Sequence, residues 1–445
     1  MNKAEITQAQ LAAWSESYRA CPQRKLAALA LAKTDLNEVA FVPEGAWKMR
    51  QKFSVEIETL EVTSQQASGR CWLFAATNVL REHIARELKL EKFELSQSFL
   101  AFWDKFERCN YLLQAVIDTA GLPADDRVVA HLLTTGVHDG GQWDMFANIV
   151  RKYGVVPKDV YDETYQSSNT RNMNAQLNRA LKVAAAKLRK MTAEKADEAA
   201  IQTEKNKVLD AIYGFLCSCY GEPPKAFDFE FVDKDKVYHI EKDLTPLTFA
   251  ERYVGDLLDQ IVSIINAPTA DKPYHKTYTI RLLGNVVEGR PVVHLNLTMD
   301  EFKAAIIAQL KAGKVVWFGS DVGHYGERTM GIWDDNSFDF AALTGLPLAM
   351  DKTDALDYGL AAMNHAMVLT GVNLDEAGKP TRWKIENSWG DKNGEKGYYV
   401  CSDSWFDQYV FQAAVEKEYL GDLVKLTAQE PIVLEPWDPM GTLAD

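Results

Sequence analysis

The stretch QQASGRCWLFA, residues 65–75, decides the fold. A glycine-containing turn ends directly before Cys71, and the apolar residues that follow recur every four positions, at Ala76, Leu80 and Ile84. This period is typical of one face of a helix, so Cys71 is predicted to begin a helix. The partial positive charge of a helix N-terminus favours the thiolate, the reactive form of cysteine. We therefore predict that Cys71 is a nucleophile, although most cysteines with apolar neighbours are simple core residues.

A thiolate nucleophile needs an imidazole within hydrogen-bond reach and a group that orients the ring. Of the eight histidines, His365 is the best candidate, because NHAMVLTG places it at the head of a buried-looking strand. Asn387 follows 22 residues later in ENSWG, where its amide could accept a hydrogen bond from the ring. The indole of Trp389 would exclude water beside it.

An oxyanion would need donors near Cys71. Gln65 precedes Cys71 by six residues, and its side-chain amide could join the Cys71 backbone N–H in holding a tetrahedral oxyanion. By chemistry alone Gln66 is equally eligible. His138 and His324 lie in glycine-rich loops, and the pattern does not exclude either as the base. These alternatives stay open at the level of the sequence.

The composition bounds the class of protein. The chain has 445 residues, of which 47% are hydrophobic and 25% charged, as in ordinary globular proteins. Lysine and arginine number 49 against 63 aspartates and glutamates, and the net charge of −14 disfavours nucleic acid and anionic lipid as partners. The six cysteines are too scattered for a disulfide framework, and the absence of a CxxC pair argues against a zinc site.

The N-terminal sequence bears on location. MNKAEITQAQLAAWSESYR lacks the apolar centre and small-residue cleavage site of a signal peptide. The longest early apolar run, residues 26–32, is far below the roughly 20 residues that a membrane helix needs. We therefore predict a cytoplasmic protein without membrane contact.

Changes of pattern divide the chain into five segments. An Ala-, Lys- and Glu-rich stretch indicates long helices, whereas short runs separated by Gly and Asn/Asp indicate strands. We predict an N-terminal arm over 1–60, a helical lobe over 61–163, a mainly helical insertion over 164–290, a β-rich lobe over 291–430 and a C-terminal arm over 431–445.

Three separated blocks, QQASGRCWLFA, NHAMVLTG and ENSWG with GYYV after it, resemble those of papain-like cysteine proteases and occur in the same order. The resemblance implies an α+β fold with a helical lobe and a β-barrel-like lobe. It implies that Cys71, His365, Asn387 and Gln65 are the catalytic residues and that no metal or cofactor takes part.

The segment DGGQWDMFANIVRKYGVVPKDVYDE, which begins at Asp139, resembles the Gly-Gly segment that lines the substrate cleft of that fold. By this resemblance Gly140 and Gly141 would pair with the substrate backbone. Glycine has a physical reason there, because no side chain obstructs the approach. Trp389 is included with these two glycines among the predicted substrate-binding residues.

The chain also departs from the secreted papain-like enzymes. Ser68 stands where they carry a disulfide cysteine, and Arg70 replaces a common small residue beside Cys71. The separation of Cys71 from His365 is 294 residues, about twice the 130–150 typical of papain and the cathepsins. The predicted helical insertion accounts for the excess.

A papain-like chain of this length, with a long N-terminal segment and a tail that reads WDPMGTLAD, resembles the bleomycin hydrolase and bacterial aminopeptidase C group. The resemblance implies a cytosolic homohexamer whose C-terminal arm lies in the active-site cleft. Its substrates would be peptides with a free N-terminus, which the terminal carboxylate of the chain would bind. This carboxylate belongs to Asp445, or to Ala444 if Asp445 is removed from the mature protein. An endopeptidase of the same family and a non-catalytic binding protein are the alternatives.

Overall fold

The computed structural model describes residues 5–442, which build helices around one large mixed sheet. The α-helices are α1 (Gln8–Ala20), α2 (Pro22–Leu31), α3 (Leu36–Ala40), α4 (Pro43–Ala46), α5 (Cys71–Glu87), α6 (Gln97–Asp118), α7 (Arg127–Thr135), α8 (Trp143–Tyr153), α9 (Tyr165–Ser168), α10 (Arg171–Ala193), α11 (Glu198–Tyr220), α12 (Pro246–Tyr253), α13 (Leu257–Gln260), α14 (Met299–Lys311), α15 (Phe340–Thr344), α16 (Lys352–Asp357) and α17 (Asp403–Tyr409).

The strands are β1 (Val55–Glu56), β2 (Phe227–Val232), β3 (Tyr238–Leu244), β4 (Ile261–Ile265), β5 (Thr277–Ile280), β6 (His294–Asn296), β7 (Val316–Ser320), β8 (Gly326–Glu327), β9 (Ile332–Trp333), β10 (His365–Leu374), β11 (Pro380–Glu386), β12 (Tyr398–Ser402), β13 (Val410–Glu416) and β14 (Ile432–Leu434). Three 3₁₀ segments cover Asp335–Ser337, Lys417–Ala428 and Pro439–Gly441.

The large sheet places β10 near its middle. The strand order is β14, β5, β6, β4, β13, β7, β10, β11, β12, β9 and β8, and β1 also pairs with β10. Both β7 and β11 run antiparallel to β10, and His365 is paired with Ser320 of β7. Because His365 is the first residue of a strand held on both sides, the ladder fixes its backbone.

Helix α5 packs across β10 in the interior of the protein. Its first turns are buried on every side, from Cys71 to Leu80. The indole Nε1 of Trp317, on β7, donates to the carbonyl of Trp72 at 3.2 Å. A helix that is apolar all round belongs in the core, so Cys71 begins a helix at the centre of the molecule rather than at its surface.

The segment 164–290 contains both helices and strands. Helices α10 and α11 pack against each other and against α6. Further along, β2 and β3 form a separate antiparallel hairpin, whereas β4 and β5 are strands of the large sheet. The five segment boundaries given by the sequence stay predictions.

Helices α1 and α2 have no buried residues. Their exposed apolar side chains include Leu11, Trp14, Tyr18, Leu26 and Leu29, of which Leu29 is 77% exposed. Within residues 5–442, no helix combines the length and the apolar character that crossing a membrane requires.

Candidate active site

Cys71 is the first residue of α5 and is fully buried. The backbone N–H of Ala366 donates to its Sγ at 3.5 Å, which places the thiol beside the start of β10. The helix N-terminus lowers the cost of a negative charge on this sulfur. By contrast, burial raises the pKa of Cys109 to about 12 and that of Cys401 well above its ordinary value, so both remain thiols.

His365 and Asn387 are in direct contact. His365 Nε2 lies 2.9 Å from Asn387 Oδ1, and the backbone N–H of Ser388 donates to the same oxygen at 2.8 Å. A backbone N–H can only donate, so this atom is the carbonyl oxygen of the amide. His365 Nε2 is therefore the protonated nitrogen, and Nδ1 is left to exchange a proton with another group.

The surroundings of His365 are largely apolar. Burial lowers the pKa of the ring to about 4, and the hydrogen bond with Asn387 partly opposes the shift. The ring of Trp389 lies 4.8 Å from the His365 ring, centroid to centroid, and the Arg328 guanidinium lies 4.8 Å from the Trp389 ring. A neighbouring negative charge, such as a thiolate, is what would stabilise the imidazolium in this pocket.

Gln65 is buried, and both the nitrogen and the oxygen of its side-chain amide form hydrogen bonds. Its Nε2 donates to the Ser68 carbonyl at 2.6 Å, and its Oε1 accepts from the Ser388 hydroxyl at 2.6 Å. The second amide hydrogen remains for a bound group. Gln66, the alternative, has a φ of 54° and an exposed side chain that donates to Ser64 Oγ at 2.9 Å, so the structure does not bring it to the site.

The two other histidines that the pattern left open have different partners. The ring of His324 stacks on Tyr409 at 4.8 Å and lies 3.4 Å from Asp321, measured from Nε2 to Oδ2. His138 Nδ1 accepts from the backbone N–H of Gly140 at 3.2 Å.

Both predicted cleft glycines are buried, and each is constrained by the protein itself. A Cβ on Gly141 would lie 2.5 Å from the Trp72 ring, so packing already demands glycine at this position. The carbonyl of Gly140 accepts from Arg108 Nη2 at 2.5 Å. The pairing of Gly140 and Gly141 with a substrate backbone stays a prediction.

A buried carboxylate that the sequence analysis did not identify holds the turn before Cys71. Asp139 accepts from the backbone N–H of Gly69 at 2.9 Å, and its own carbonyl accepts from Trp72 Nε1 at 2.6 Å. Burial opposes the charge, but the ion pair with Lys105 and hydrogen bonds from Thr170 and other groups hold the pKa of Asp139 well below its usual range. The sequence signal that could have identified Asp139 is its position directly before the two glycines of the DGG motif.

The residues that depart from the secreted enzymes also hold this turn. Ser68 Oγ donates to the Gln65 carbonyl at 2.6 Å and accepts from Arg70 Nε at 2.9 Å. The two terminal nitrogens of Arg70 donate to the carboxylate oxygens of Glu163 at 3.0 and 2.9 Å. The turn is thus fixed by charge-assisted hydrogen bonds where the resemblance indicates a disulfide in other enzymes.

A second buried cluster joins α5 to the strand that ends before Asn387. Glu386 Oε1 accepts from Arg81 Nη2 at 3.0 Å and from Asn78 Nδ2 at 2.7 Å. Asn78 Nδ2 also donates to Thr63 Oγ1 at 3.1 Å, close to Gln65 in the chain. The segments that carry Cys71, Asn387 and Gln65 therefore meet in one polar cluster.

The C-terminal arm, residues 431–445, is described as far as Thr442, and the predicted carboxylate residues Ala444 and Asp445 lie outside the described residues. Strand β14 pairs with β5, and Asp438 forms an ion pair of 2.9 Å with the buried Lys272. The arm then borders a cavity of about 680 Å³. The lining includes Met363, Asn364, Gly441 and Thr442, the first two of which directly precede His365.

The chain matches the model of the Peptidase C1-like family over residues 5–441. The chain belongs to this family. Aminopeptidase C of Streptococcus thermophilus is 51% identical over 394 residues, which cover 88% of each chain. Aminopeptidase C of Listeria monocytogenes is 44% identical over 443 residues, which cover 99% of this chain and 100% of the relative. The crystal structure of PepW from Lactobacillus rhamnosis HN001 matches with a TM-score of 0.97 and 49% identity over 99% of this chain and 100% of PepW.

Membership of the Peptidase C1-like family confirms the resemblance to papain-like proteases of the bleomycin hydrolase and aminopeptidase C group. The α+β fold is confirmed as well, since the sheet and helices follow PepW along nearly the whole chain. The roles of Cys71, His365, Asn387, Gln65 and Trp389 stay predictions, which the geometry described above supports. Among residues 5–442, no three His, Cys, Asp or Glu side chains cluster in a way that could hold a metal ion.

Proposed function

We propose that the chain removes the N-terminal residue of peptides through a thioester on Cys71, with its C-terminal arm excluding internal peptide segments from the cleft. The chain is a cysteine aminopeptidase, because it belongs to the Peptidase C1-like family and its relatives at 51% and 44% identity are both named Aminopeptidase C. What the proposal adds is the chemistry and the basis of selectivity.

The first half of the reaction forms the thioester. The Cys71 thiolate attacks the first peptide carbonyl, and the oxyanion accepts from the second amide hydrogen of Gln65 and from the N–H of Cys71, the first residue of α5. The oxyanion then collapses, the C–N bond breaks, and the proton on His365 Nδ1 goes to the leaving amine. The shortened peptide departs with a new free N-terminus.

The second half restores the enzyme. A water molecule loses its proton to His365 Nδ1 and attacks the thioester carbonyl, after which the C–S bond breaks and the amino acid leaves with its carboxylate. Asn387 holds Nε2 throughout, so the ring exchanges protons only through Nδ1. The contact between His365 Nε2 and Asn387 Oδ1 is the observation that carries this mechanism.

Replacement of Cys71 tests the nucleophile. Cys71→Ala should reduce turnover of an aminoacyl amide to background and leave the protein folded, because only the sulfur is removed. Cys21→Ala, at a half-exposed cysteine between α1 and α2, is the matched control and should keep wild-type turnover. Activity retained in Cys71→Ala would rule out the mechanism.

The proposed selectivity depends on the free α-ammonium of the substrate. A carboxylate at the end of the arm would bind this ammonium, and the attraction is stronger in a walled cleft than in water. Wild-type enzyme should therefore show a higher kcat/KM for a free aminoacyl amide than for a longer N-blocked peptide amide. Preference for the blocked peptide would contradict the proposal and favour the endopeptidase alternative.

We also propose that the enzyme is a cytoplasmic homohexamer, as the resemblance implies. The exposed apolar side chains on α1 and α2 support contacts with other copies of the chain, because such side chains are normally covered when they cluster.

A further inference from the structure

Gln142 binds the C-terminal arm through its side-chain amide. This side chain is fully buried, and its Nε2 donates to the carbonyl of Met440 at 3.1 Å and to that of Thr442 at 2.9 Å. Two carbonyl acceptors identify this atom as the amide nitrogen, and together they use both of its hydrogens. Gln142 Oε1 is also buried and has no hydrogen-bond partner within residues 5–442.

The position of Gln142 relative to Cys71 is fixed through Trp72. Gln142 directly follows Gly141, whose backbone packs so closely on the Trp72 ring that a Cβ would lie 2.5 Å from it. Trp72 is the neighbour of Cys71 and donates its indole N–H to the Asp139 carbonyl. A short, fully buried chain of contacts therefore runs from the proposed nucleophile to the amide that holds the arm.

The preceding part of the arm is held by other contacts. Strand β14 pairs with β5, the Arg127 guanidinium lies 3.7 Å from the Trp437 ring, and Asp438 forms its ion pair with Lys272. These contacts position the arm up to residue 438. Among residues 5–442, the only hydrogen bonds that side chains outside the arm form with residues 439–442 are the two from Gln142. Met440 also packs in the hydrophobic core, so Gln142 supplies the polar contacts that position the final turn.

We propose that Gln142 determines specificity by fixing the last described turn of the arm, and thereby where the arm ends in the cleft. The inference rests on the proposed function, in which the arm selects substrates with a free N-terminus. Because Gln142 contacts backbone carbonyls, it fixes the arm irrespective of the side chains at residues 440 and 442. Loss of its two donors would release the turn and open the cleft to residues that precede the scissile bond.

Two isosteric variants test this role. Gln142→Glu replaces the two N–H donors with a carboxyl group that can donate at most one hydrogen bond, when protonated, and Gln142→Met removes both donors. The readout is the ratio of kcat/KM for an N-blocked peptide amide to kcat/KM for the free aminoacyl amide. Labelling of Cys71 by an epoxide thiol reagent normalises each rate to the concentration of folded, reactive enzyme. We expect the ratio to rise at least tenfold in both variants.

Two further chains serve as controls. Gln429→Glu makes the same chemical change just before the arm, where the amide donates to the His275 carbonyl at 3.2 Å, and should keep the wild-type ratio. A chain that ends at Pro439 lacks residues 440–442, to which Gln142 is hydrogen-bonded, and should show the raised ratio.

The outcomes distinguish the proposed role of Gln142 from the proposed role of the arm. If the shortened chain shows the raised ratio but the Gln142 variants keep the wild-type value, the arm restricts the cleft and the assignment of Gln142 is overturned. If the shortened chain also keeps the wild-type ratio, the proposed function of the arm fails and the inference fails with it.

Discussion

Residues of the same type have different chemical and packing properties in this protein, because their surroundings differ. Cys71 begins a helix beside His365, whereas burial away from such partners keeps Cys109 and Cys401 protonated. Glycine differs in the same way. Gly141 touches the Trp72 ring, whereas a Cβ on Gly214 of α11 would meet no atom within 4 Å. The effect of a substitution at each of these positions therefore follows from its surroundings.

Gly141→Ala should destabilise the protein by about 1–3 kcal/mol, because the new methyl group would force Trp72 out of its position. Activity should fall with it, since Trp72 is the neighbour of Cys71. Gly214→Ala is the matched control, and it should stabilise the protein by about 0.5–1 kcal/mol through helix propensity. Urea unfolding measures both changes, and equal stability of the two variants would contradict the packing argument.

Lys352 predicts a pH dependence of stability. Burial lowers its pKa to about 7, against about 10.4 in an unfolded chain. Between these values the unfolded chain binds more protons, so the wild-type free energy of unfolding should rise with pH from about 7 to about 10. Lys352→Met should remove this rise.

Urea unfolding at pH 7, 8.5 and 10 would measure the effect of Lys352→Met. The stability of the variant relative to wild type should be greatest at pH 7 and decline toward pH 10. Lys379→Met, at an exposed loop position, is the control and should follow the wild-type curve. A constant difference between Lys352→Met and wild type would show that the lysine does not titrate as argued.

At the scale of elements, Asp139 links parts of the protein that are distant in the chain. Its carboxylate contacts Gly69 in the turn before α5, Lys105 on α6, and Thr170 and Asn174 at the start of α10. Because these contacts are buried, they are screened little by water or salt. The turn that carries Gln65 and leads to Cys71 is thus held by two helices to which it is not directly connected.

Asp139→Asn should cost about 3–5 kcal/mol of stability, because it leaves the buried Lys105 without its counter-ion. It should also lower kcat/KM roughly 10-fold or more through misplacement of the turn. The control is Asp235→Asn, which breaks an exposed surface pair with Lys89 and should leave the stability close to that of wild type. Urea unfolding measures the loss of stability, and steady-state kinetics measures kcat/KM. A wild-type kcat/KM in Asp139→Asn would contradict the argument that Asp139 positions the turn before Cys71.

The contribution of Asp139 to stability should change with pH in a defined direction. Since the pKa of folded Asp139 lies well below the value of about 3.9 in an unfolded chain, its contribution to stability is present above that pH. The contribution is lost as the pH falls below about 4. Asp139→Asn should therefore lose its disadvantage relative to wild type in acid.

The sequence identifies candidate site residues where they stand in short local motifs. Cys71, Gln65, His365 and Asn387 stand in short motifs, and the structure brings all four together. Lys105 and Arg81 stand in no such motif, and Asp139 stands in the DGG motif, but the roles of all three depend on partners many residues away in the chain. The strands β4 and β5 were likewise missed within the segment predicted as mainly helical, since their pairing partners lie far along the sequence.

At the scale of the whole molecule, buried and exposed apolar surface are unevenly distributed. The core is continuous from α5 through the large sheet, yet α1 and α2 leave Leu26 and Leu29 exposed at 70% and 77%. In a monomer these side chains would face water at a cost that burial against another copy removes. The proposed homohexamer would cover this exposed apolar surface of α1 and α2.

The double variant Leu26→Glu/Leu29→Glu should weaken assembly without affecting the fold of one chain, because neither side chain is buried within it. Light scattering should give wild type a mass about six times the 50.0 kDa of one chain and the variant a smaller mass. Lys33→Glu is the control and should keep the wild-type mass. An unchanged mass in the double variant would exclude α2 from the assembly contacts.

The hydrogen-bonded turn around Ser68 and Arg70 has a consequence for the conditions in which the enzyme can work. A thiol nucleophile requires a reducing environment, and strong reductants open structural disulfides. Here the turn before Cys71 is closed by hydroxyl, guanidinium and carboxylate groups, and no two of the six cysteines, which all lie within residues 5–442, form a disulfide. A reductant that keeps the proposed nucleophile active therefore has no disulfide to break within residues 5–442.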